Sequence, residues 1–298
     1  MREAQLTLEP TAALRPRRLG LGVRVRRHFM GVMGICILVF LGLTAAVGPL
    51  LIPHDPYSQD AASFERPSLD HPFGTDRLGR DVLSRVVHGA RISLGIGFAA
   101  VTIGVIGGSL LGVISAYYGG WIDYLLQRLV EVVLAFPLLV LLLVIVAAVG
   151  QSIQNVILIM GVVMTPIMSR IVRSIVFSEK EQPYIEAARA LGATNTRVLF
   201  VHLFPSVLPL ALILASLTLG GMILAEASLS FLGLGVPPPN PSWGADMSGN
   251  ARDYFQQAPW LAIFPGLALS LTILGANLVA EAVRDVIDPF AKQMAAGR

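Results

Sequence analysis

The sequence predicts an all-α membrane protein of about six transmembrane helices, and three observations carry that prediction. Of 298 residues, 54% are hydrophobic and only 14% are charged, against about 25% charged in soluble domains. The mean hydropathy is +0.70. The apolar residues are gathered into runs of about twenty or more, long enough to cross the roughly 30 Å hydrocarbon core as helices. The arginine-rich segments between the runs fall on one side of the membrane, which the positive-inside rule makes the cytoplasm, so both termini are expected there.

Taken in order, residues 1–28 form a basic stretch with Arg2, Arg15, Arg17, Arg18, Arg24, Arg26 and Arg27. It reads as a disordered cytoplasmic tail, followed by one membrane domain over 29–298. Arg26-Arg27-His28-Phe29 superficially resembles a twin-arginine export signal. The apolar run after it, Met30 to Ile52, is too long for a signal core and has no clear small-residue cleavage site, so it is expected to stay as the first span. Pro53 to Arg91 is polar and expected outside. The second span, about Ile92 to Tyr118, repeats Gly104, Gly108 and Gly112 every four residues, a small-residue face that lets helices approach closely, expected to serve packing within one subunit more than a dedicated dimer seam. Gly119-Gly120 turns into a third span, about Tyr124 to Val149, in which Pro137 is expected to kink the helix and Arg128 to pair with Glu131 three residues on. A fourth span covers about Val156 to Phe177. The fifth starts near Ser206 and runs to Glu226. At about 1.5 Å per residue that carboxylate lies near the outer interface, where a structural hydrogen bond and a gating role are both open. The proline run from Pro237 to Pro241 cannot be helix throughout and is expected to be an outer loop. Trp243, Tyr254 and Trp260 suit an interfacial aromatic belt. The sixth span, about Trp260 to Val283, leads to Arg284, Asp285, Asp288 and Pro289 on the inner side.

Several function classes are excluded. The net charge of +3 comes from arginines that set membrane topology, so no nucleic-acid partner is expected. Cys36 is the only cysteine, which rules out a disulfide framework and leaves it as filler in an apolar run. No phosphate-binding G-x-x-x-x-G-K-[ST] loop exists, and Lys180 and Lys292 are the only lysines, so the chain does not hold ATP itself. The histidines, His28, His54, His71, His88 and His202, are scattered along the sequence, which argues against a zinc site. No nucleophile-turn or metalloprotease motif is present. The chain reads as a non-catalytic pathway without cofactor or metal. A secondary transporter would need ionisable residues near the midplane and broken, symmetric helices, and the apolar runs hold few charges near their centres.

The polar insert at 179–205 organises the rest. Pro183 suits a first helical position and Glu186 complements the helix dipole in the first turn. Ala187, Ala188 and Ala190 favour helix with little bulk, and Gly192 stops the helix in a left-handed conformation. Thr194 is placed to cap a second short helix expected to end near Pro205. An alanine-faced surface helix buries little of its own core and lets another protein's backbone come close. Without further context the same segment would be an ordinary amphipathic helix pair.

This segment resembles the cytoplasmic coupling loop of ATP-binding-cassette (ABC) importer permeases. Glu186, Ala187, Ala188 and Gly192 fall in register with the family's E-A-A, three residues, G pattern, and Pro205 closes it. His202 stands at a position where the peptide-importer branch often has histidine, and Phe204 replaces the usual leucine. Phe73-Gly74-Thr75-Asp76, Gly79-Arg80-Asp81 and Ser84-Arg85 match a signature of C-type permeases in the dipeptide, oligopeptide and nickel importer family. So do Leu229 to Gly235, Pro241 to Gly244, Arg284-Asp285 and Asp288-Pro289. Glu131 stands where the family commonly has aspartate.

The resemblance implies the ABC importer permease fold in a bacterial inner membrane. It implies a complex with a B-type permease subunit, two cytoplasmic ABC ATPases that bind ATP and magnesium, and an external substrate-binding protein. The cargo would be a di- or oligopeptide, with glutathione or a nickel chelate as alternatives within the family. It makes Glu186, Ala187, Ala188, Gly192, His202 and Pro205 the ATPase-coupling candidates. For the outer gate the candidates are Asp76, Arg80, Asp81, Arg85 and Glu226, with local salt bridges around Asp76, Arg80 and Asp81 an equal reading.

Overall fold

The computed structural model describes residues 21–287; Arg2 to Arg18 of the basic tail and the Asp288-Pro289 pair lie outside them. The elements are α1 (Leu21–Leu51), α2 (Val82–Tyr118), α3 (Gly120–Leu134), α4 (Leu138–Val149), α5 (Ile153–Glu179), α6 (Pro183–Ala190), α7 (Asn195–Arg197), a π-helical turn (Val198–Leu203), α8 (Phe204–Phe231), α9 (Trp243–Met247), α10 (Asn250–Asp253) and α11 (Trp260–Ile287). Among the described residues no strand forms beyond one isolated bridge, Thr75 to Asp81. Five helical stretches are long and apolar enough to span a bilayer, and α3 with α4 makes a sixth if that bent pair counts as one.

The second span begins at Val82, not near Ile92. Asp81 caps it by accepting from the backbone N–H of Ser84 at 2.7 Å, and polar Ser84 and Arg85 are buried in its first turn. Their polarity hid a helix start that a side-chain cap creates. The third span is broken: α3 and α4 meet at 91°. Pro137 has no N–H to give back and disfavours helix at the residue before it, so the chain restarts at Leu138 instead of merely kinking. The helix capped by Thr194 does not end near Pro205. It passes through the π-helical turn into α8, and Pro205 lies in the first turn of α8. A wider turn just before a proline removes the clash with the preceding carbonyl.

α2 and α5 form the most extensive helix pair, and the glycine face is the reason. An added Cβ at Gly104 would lie 2.8 Å from Met164, at Gly108 2.3 Å from Met168 Cβ, and at Gly112 2.7 Å from the carbonyl of Ser169. The backbones touch there with no room for a methyl group, so the stripe packs within the subunit as the sequence suggested. The main core joins α2, α4, α5, α8, α9 and α11 around Ile96, Met160, Met164, Ile223 and Trp243. A second core collects Val113, Ala116, Val172, Val176, Ile185, Leu203 and Val207 where α2 and α5 end and α8 begins. α1 pairs with α11 and exposes Phe29, Val32, Ile35, Val39, Phe40 and Leu43 along its length, as a lipid-facing helix does. Cys36 is exposed on the same helix.

Trp243 and Trp260 do not form a belt. Trp243 is fully buried and donates from its indole N–H to the carbonyl of Val86 at 3.0 Å. Trp260 is buried and donates to the carbonyl of Thr75 at 3.1 Å. Tyr254 packs against Phe64 at 4.8 Å between ring centres. Each ring found a backbone or aromatic partner outside its own segment, and burial with a satisfied N–H outcompetes an interfacial position.

Candidate functional site

The candidate coupling site is an elbow between α5 and α8. α6 ends in a glycine-terminated motif: Gly192 has φ +82°, its N–H reaches the carbonyl of Arg189 at 2.9 Å, and the N–H of Ala193 reaches that of Ala188 at 3.0 Å. This pair of bonds satisfies carbonyls that a helix end would otherwise leave open. Thr194 accepts from the backbone N–H of Arg197 and starts the next turn. The elbow has two faces. Ile185 is fully buried in the second core, while Glu186, Ala187, Ala190, Leu191 and Gly192 are exposed, Leu191 by 88%. Ala188 and His202 are half-buried and Pro205 is exposed. The side chain of His202 faces the ring of Tyr184 edge-on at 6.3 Å.

Polar contacts fix the elbow to the end of α2. The guanidinium of Arg189 lies 5.2 Å over the ring of Tyr117, whose hydroxyl donates to Asn195 at 2.7 Å. Lys180 donates to the carbonyl of Ala116 at 3.0 Å. Next to it, Arg173 of α5 forms two hydrogen bonds to Asp123 of α3, at 2.6 and 2.5 Å. Tyr184 donates to Glu179 at 2.6 Å. Desolvation, aided by that bond to a carboxylate, pushes the Tyr184 hydroxyl up to about 12, so it stays a donor at any physiological pH. Sequence reasoning missed Tyr117, Asp123, Arg173 and Asn195, because their partners lie far along the chain. Ile185, a large apolar residue amid alanines and charges, was the one local sign of an inward face.

The second group lies at the other end of α2. Asp76 closes a tight loop, accepting from the N–H groups of Leu78 and Arg80 at 2.8 and 2.9 Å and from Arg80 Nε at 2.6 Å. Asp81 caps α2 with one oxygen and meets His71 Nδ1 at 3.0 Å with the other. Arg85, buried, bonds Asp246 of α9 through Nε at 2.9 Å and through Nη2, and reaches the carbonyl of Pro56 at 3.2 Å and that of Pro239 at 3.5 Å. One guanidinium therefore joins the loop before α2, the proline loop and α9. Burial pushes the Asp246 carboxyl up, and Arg85 opposes that shift. Asp76, Arg80, Arg85, Pro238, Pro239 and Asp246 line a cleft of about 230 Å³. Of the five gate candidates the structure gathers Asp76, Arg80 and Arg85 at this cleft and leaves Asp81 beside it, on His71. Glu226 stands apart in α8, fully buried and accepting from Ser230 at 2.8 Å. Arg128 and Glu131 pair at 3.0 Å on the exposed side of α3.

Comparison with known proteins agrees with this architecture. Residues 108–293 match the family model described as binding-protein-dependent transport system inner membrane component, and residues 23–69 match that of the N-terminal transmembrane domain of oligopeptide transport permease C. The chain belongs to this permease family. It is similar to a dipeptide transport system permease, DppC, of Alkalihalophilus pseudofirmus, 41% identical across 90% of this chain and 88% of the relative. It is also similar to the glutathione transport system permeases GsiD of Pectobacterium atrosepticum, 38% identical, and of Escherichia coli, 39% identical, each across 90% of this chain and 89% of the relative. The permease is thus a multi-pass inner-membrane transport subunit, and its C-type peptide-permease character agrees with the motifs at 73–85 and 183–205.

Proposed function

We propose that this permease forms half of the pathway of an ATP-driven importer of di- or oligopeptides and takes its drive from a separate ATPase through α6. One observation carries the coupling reading. α6 and the turn after it expose Glu186, Ala187, Ala190, Leu191 and Gly192, with two alanines and a glycine keeping the face low, while the opposite side is anchored by Ile185 in the core that α2, α5 and α8 share. A partner groove that receives this face would move three spanning helices at once. Glu186, Ala187, Ala188 and Gly192 make the contact and its turn, and His202 and Pro205 support it from the wider turn into α8. The loop of α6 and both chain ends lie in the cytoplasm, so the Asp76–Arg85 cleft opens outside. There Asp76, Arg80 and Arg85 hold the outer gate closed, Asp81 sets the start of α2, and Glu226 stabilises the outer end of α8.

Peptide descends from an external binding protein between this subunit and a B-type permease, and two ATPases bind ATP and magnesium below. A second cargo, glutathione, is favoured by the GsiD relatives and is itself a tripeptide-like molecule. Purification from gentle detergent, with identification of co-purifying chains, tests the assembly. Recovery of a second permease and two ATPases supports it, and a chain that transports alone in liposomes under an ion gradient overturns it. The ligand held by the co-purified binding protein then decides between peptide and glutathione.

A further inference from the structure

We propose that His54, His71 and Asp81 form a binding site for a late first-row divalent cation of the zinc type, at the end of the bundle where α2 begins. The sequence separates these residues, and the fold brings one ligand atom from each within 4.8 Å of the others. The two imidazole rings lie 4.9 Å apart between centres, and His71 Nδ1 is 3.0 Å from Asp81 Oδ1. A bound zinc holds nitrogen and oxygen donors about 2.0–2.2 Å away, so tetrahedral ligands sit about 3.4 Å from one another. Closing the remaining distance calls for rotation of the two imidazoles, the smallest adjustment that would bring the donors onto one ion.

The backbone is already fixed. Ser84 bridges two of the ligands: its hydroxyl donates to the carbonyl of His54 at 2.6 Å and its N–H donates to Asp81 Oδ2. The third is set by a tight loop in which the carbonyl of His71 accepts from Ser68 and Gly74 at 2.9 and 2.8 Å. Asp81 is buried, so it is not one of the solvated surface acids that bind nothing. Among the described residues the ring of His54 forms no hydrogen bond, although it stands beside a His–Asp pair. Glu65 places a further carboxylate oxygen 3.8 Å from His71 Nε2. Two imidazoles with one carboxylate suit zinc, nickel, copper or cobalt and not the hard oxygen-seeking cations. Occupancy would staple residues 54–71 to the first turn of α2, beside the Arg85 cleft. That this end faces outside rests on the proposed topology; the site itself does not.

The test uses the full-length chain, purified in detergent without a histidine tag, stripped with chelator and titrated with zinc chloride by calorimetry. The expected result is one zinc per chain, a raised unfolding midpoint, and an absorption-edge spectrum containing imidazole nitrogen. His54→Gln and His71→Gln should each weaken binding by about tenfold or more. Asp81→Asn should do so while keeping the helix cap, because asparagine caps as well as aspartate. No saturable binding, or affinity kept within about twofold in all three variants, overturns the site. Since binding is read in detergent, that failure would leave the transport reading standing, and loss of the transport reading would leave the site standing.

Discussion

Gly192 separates a structural elbow from a coupling elbow. Its φ is +82° and a Cβ there would meet nothing within 4 Å, so substitution costs conformation and not space. Alanine at a left-handed position costs about 1–2 kcal/mol, enough to loosen the turn without abolishing it. Proline is different in kind. Its ring holds φ near −65°, it deletes the N–H that bonds Arg189 at 2.9 Å, and it disfavours the near-helical conformation of Leu191, φ −81° and ψ 6°. The turn (about 1–2 kcal/mol) and its hydrogen bond (about 0.5–1.5 kcal/mol) are both lost, together comparable to what an eight-residue helix gains from one buried isoleucine, about 1.5–3 kcal/mol. α6 would then leave its seat. The assay reconstitutes the complex in vesicles and reads ATP hydrolysis and peptide uptake from the same sample, normalised to inserted permease. Gly192→Ala should keep most uptake. Gly192→Pro, and Glu186→Lys on the exposed face, should lower uptake by about tenfold or more per ATP hydrolysed, as expected when about 1.4 kcal/mol or more of coupling is lost. Both variants inserting normally and transporting at the wild-type rate would refute the coupling assignment.

The remaining expectations concern what holds the two ends together. Arg85→Met leaves the carboxylate of Asp246 buried and unpaired, which should cost about 3–5 kcal/mol, and the double variant Arg85→Met with Asp246→Leu should recover most of it. Unfolding midpoints at the four corners of that cycle check this, and equal loss in the single and double variants would sink it. Gly108→Leu should destabilise by about 1–3 kcal/mol or more through overpacking on Met168, whereas Gly95→Leu, exposed with nothing within 4 Å, should be neutral or slightly stabilising through helix propensity; equal midpoints would show that the stripe does not pack as described. Tyr184, raised from 10.0 to about 12, should titrate last in an ultraviolet tyrosinate titration, and Tyr184→Phe should remove that late phase. Because its folded value lies above the unfolded one, its contribution to stability is complete below pH 10 and is lost as pH rises towards about 12.

Spans and turns were legible wherever local chemistry decides them. The apolar runs, the glycine stripe, the stop at Gly192 and the Arg128–Glu131 pair follow from periodicity and from residues three or four apart. The start of α2 was not legible, because Ser84 and Arg85 look like loop residues until Asp81 caps the helix and Asp246, 161 positions away, neutralises the arginine. The same limit hid the inward turn of Trp243 and Trp260, which an aromatic beside a membrane run does not announce. It also hid the meeting of His54 with His71, since spacing along the chain says nothing about a loop that folds back on itself. At Pro137 the residue type marks the place of the bend and not its size. A proline forces a break in the hydrogen-bond ladder, but the packing of α4 sets the angle.

The two candidate regions share one helix, and that constrains how motion at one could reach the other. α2 carries Arg85, paired with Asp246, in its first turn and the Val113, Ala116 and Tyr117 seat of the elbow in its last turns. Between them, over about 42 Å at 1.5 Å per residue, Gly104, Gly108 and Gly112 press it against α5 with no free volume. Close-packed interfaces of this kind shift between discrete arrangements and do not stretch. If α6 is pushed as proposed, α2 and α5 are expected to move as one body, because their interface has no space to take up the displacement. The compliance has to lie where backbone bonding is already interrupted. Two such places are the 91° break at Pro137, in the chain that joins α2 to α5, and the π-helical turn Val198–Leu203 that follows α5 and leads into α8. Under the proposed topology, a partner pushing on α6 would act on the Arg85 end through this rigid pair, with those two breaks as its joints.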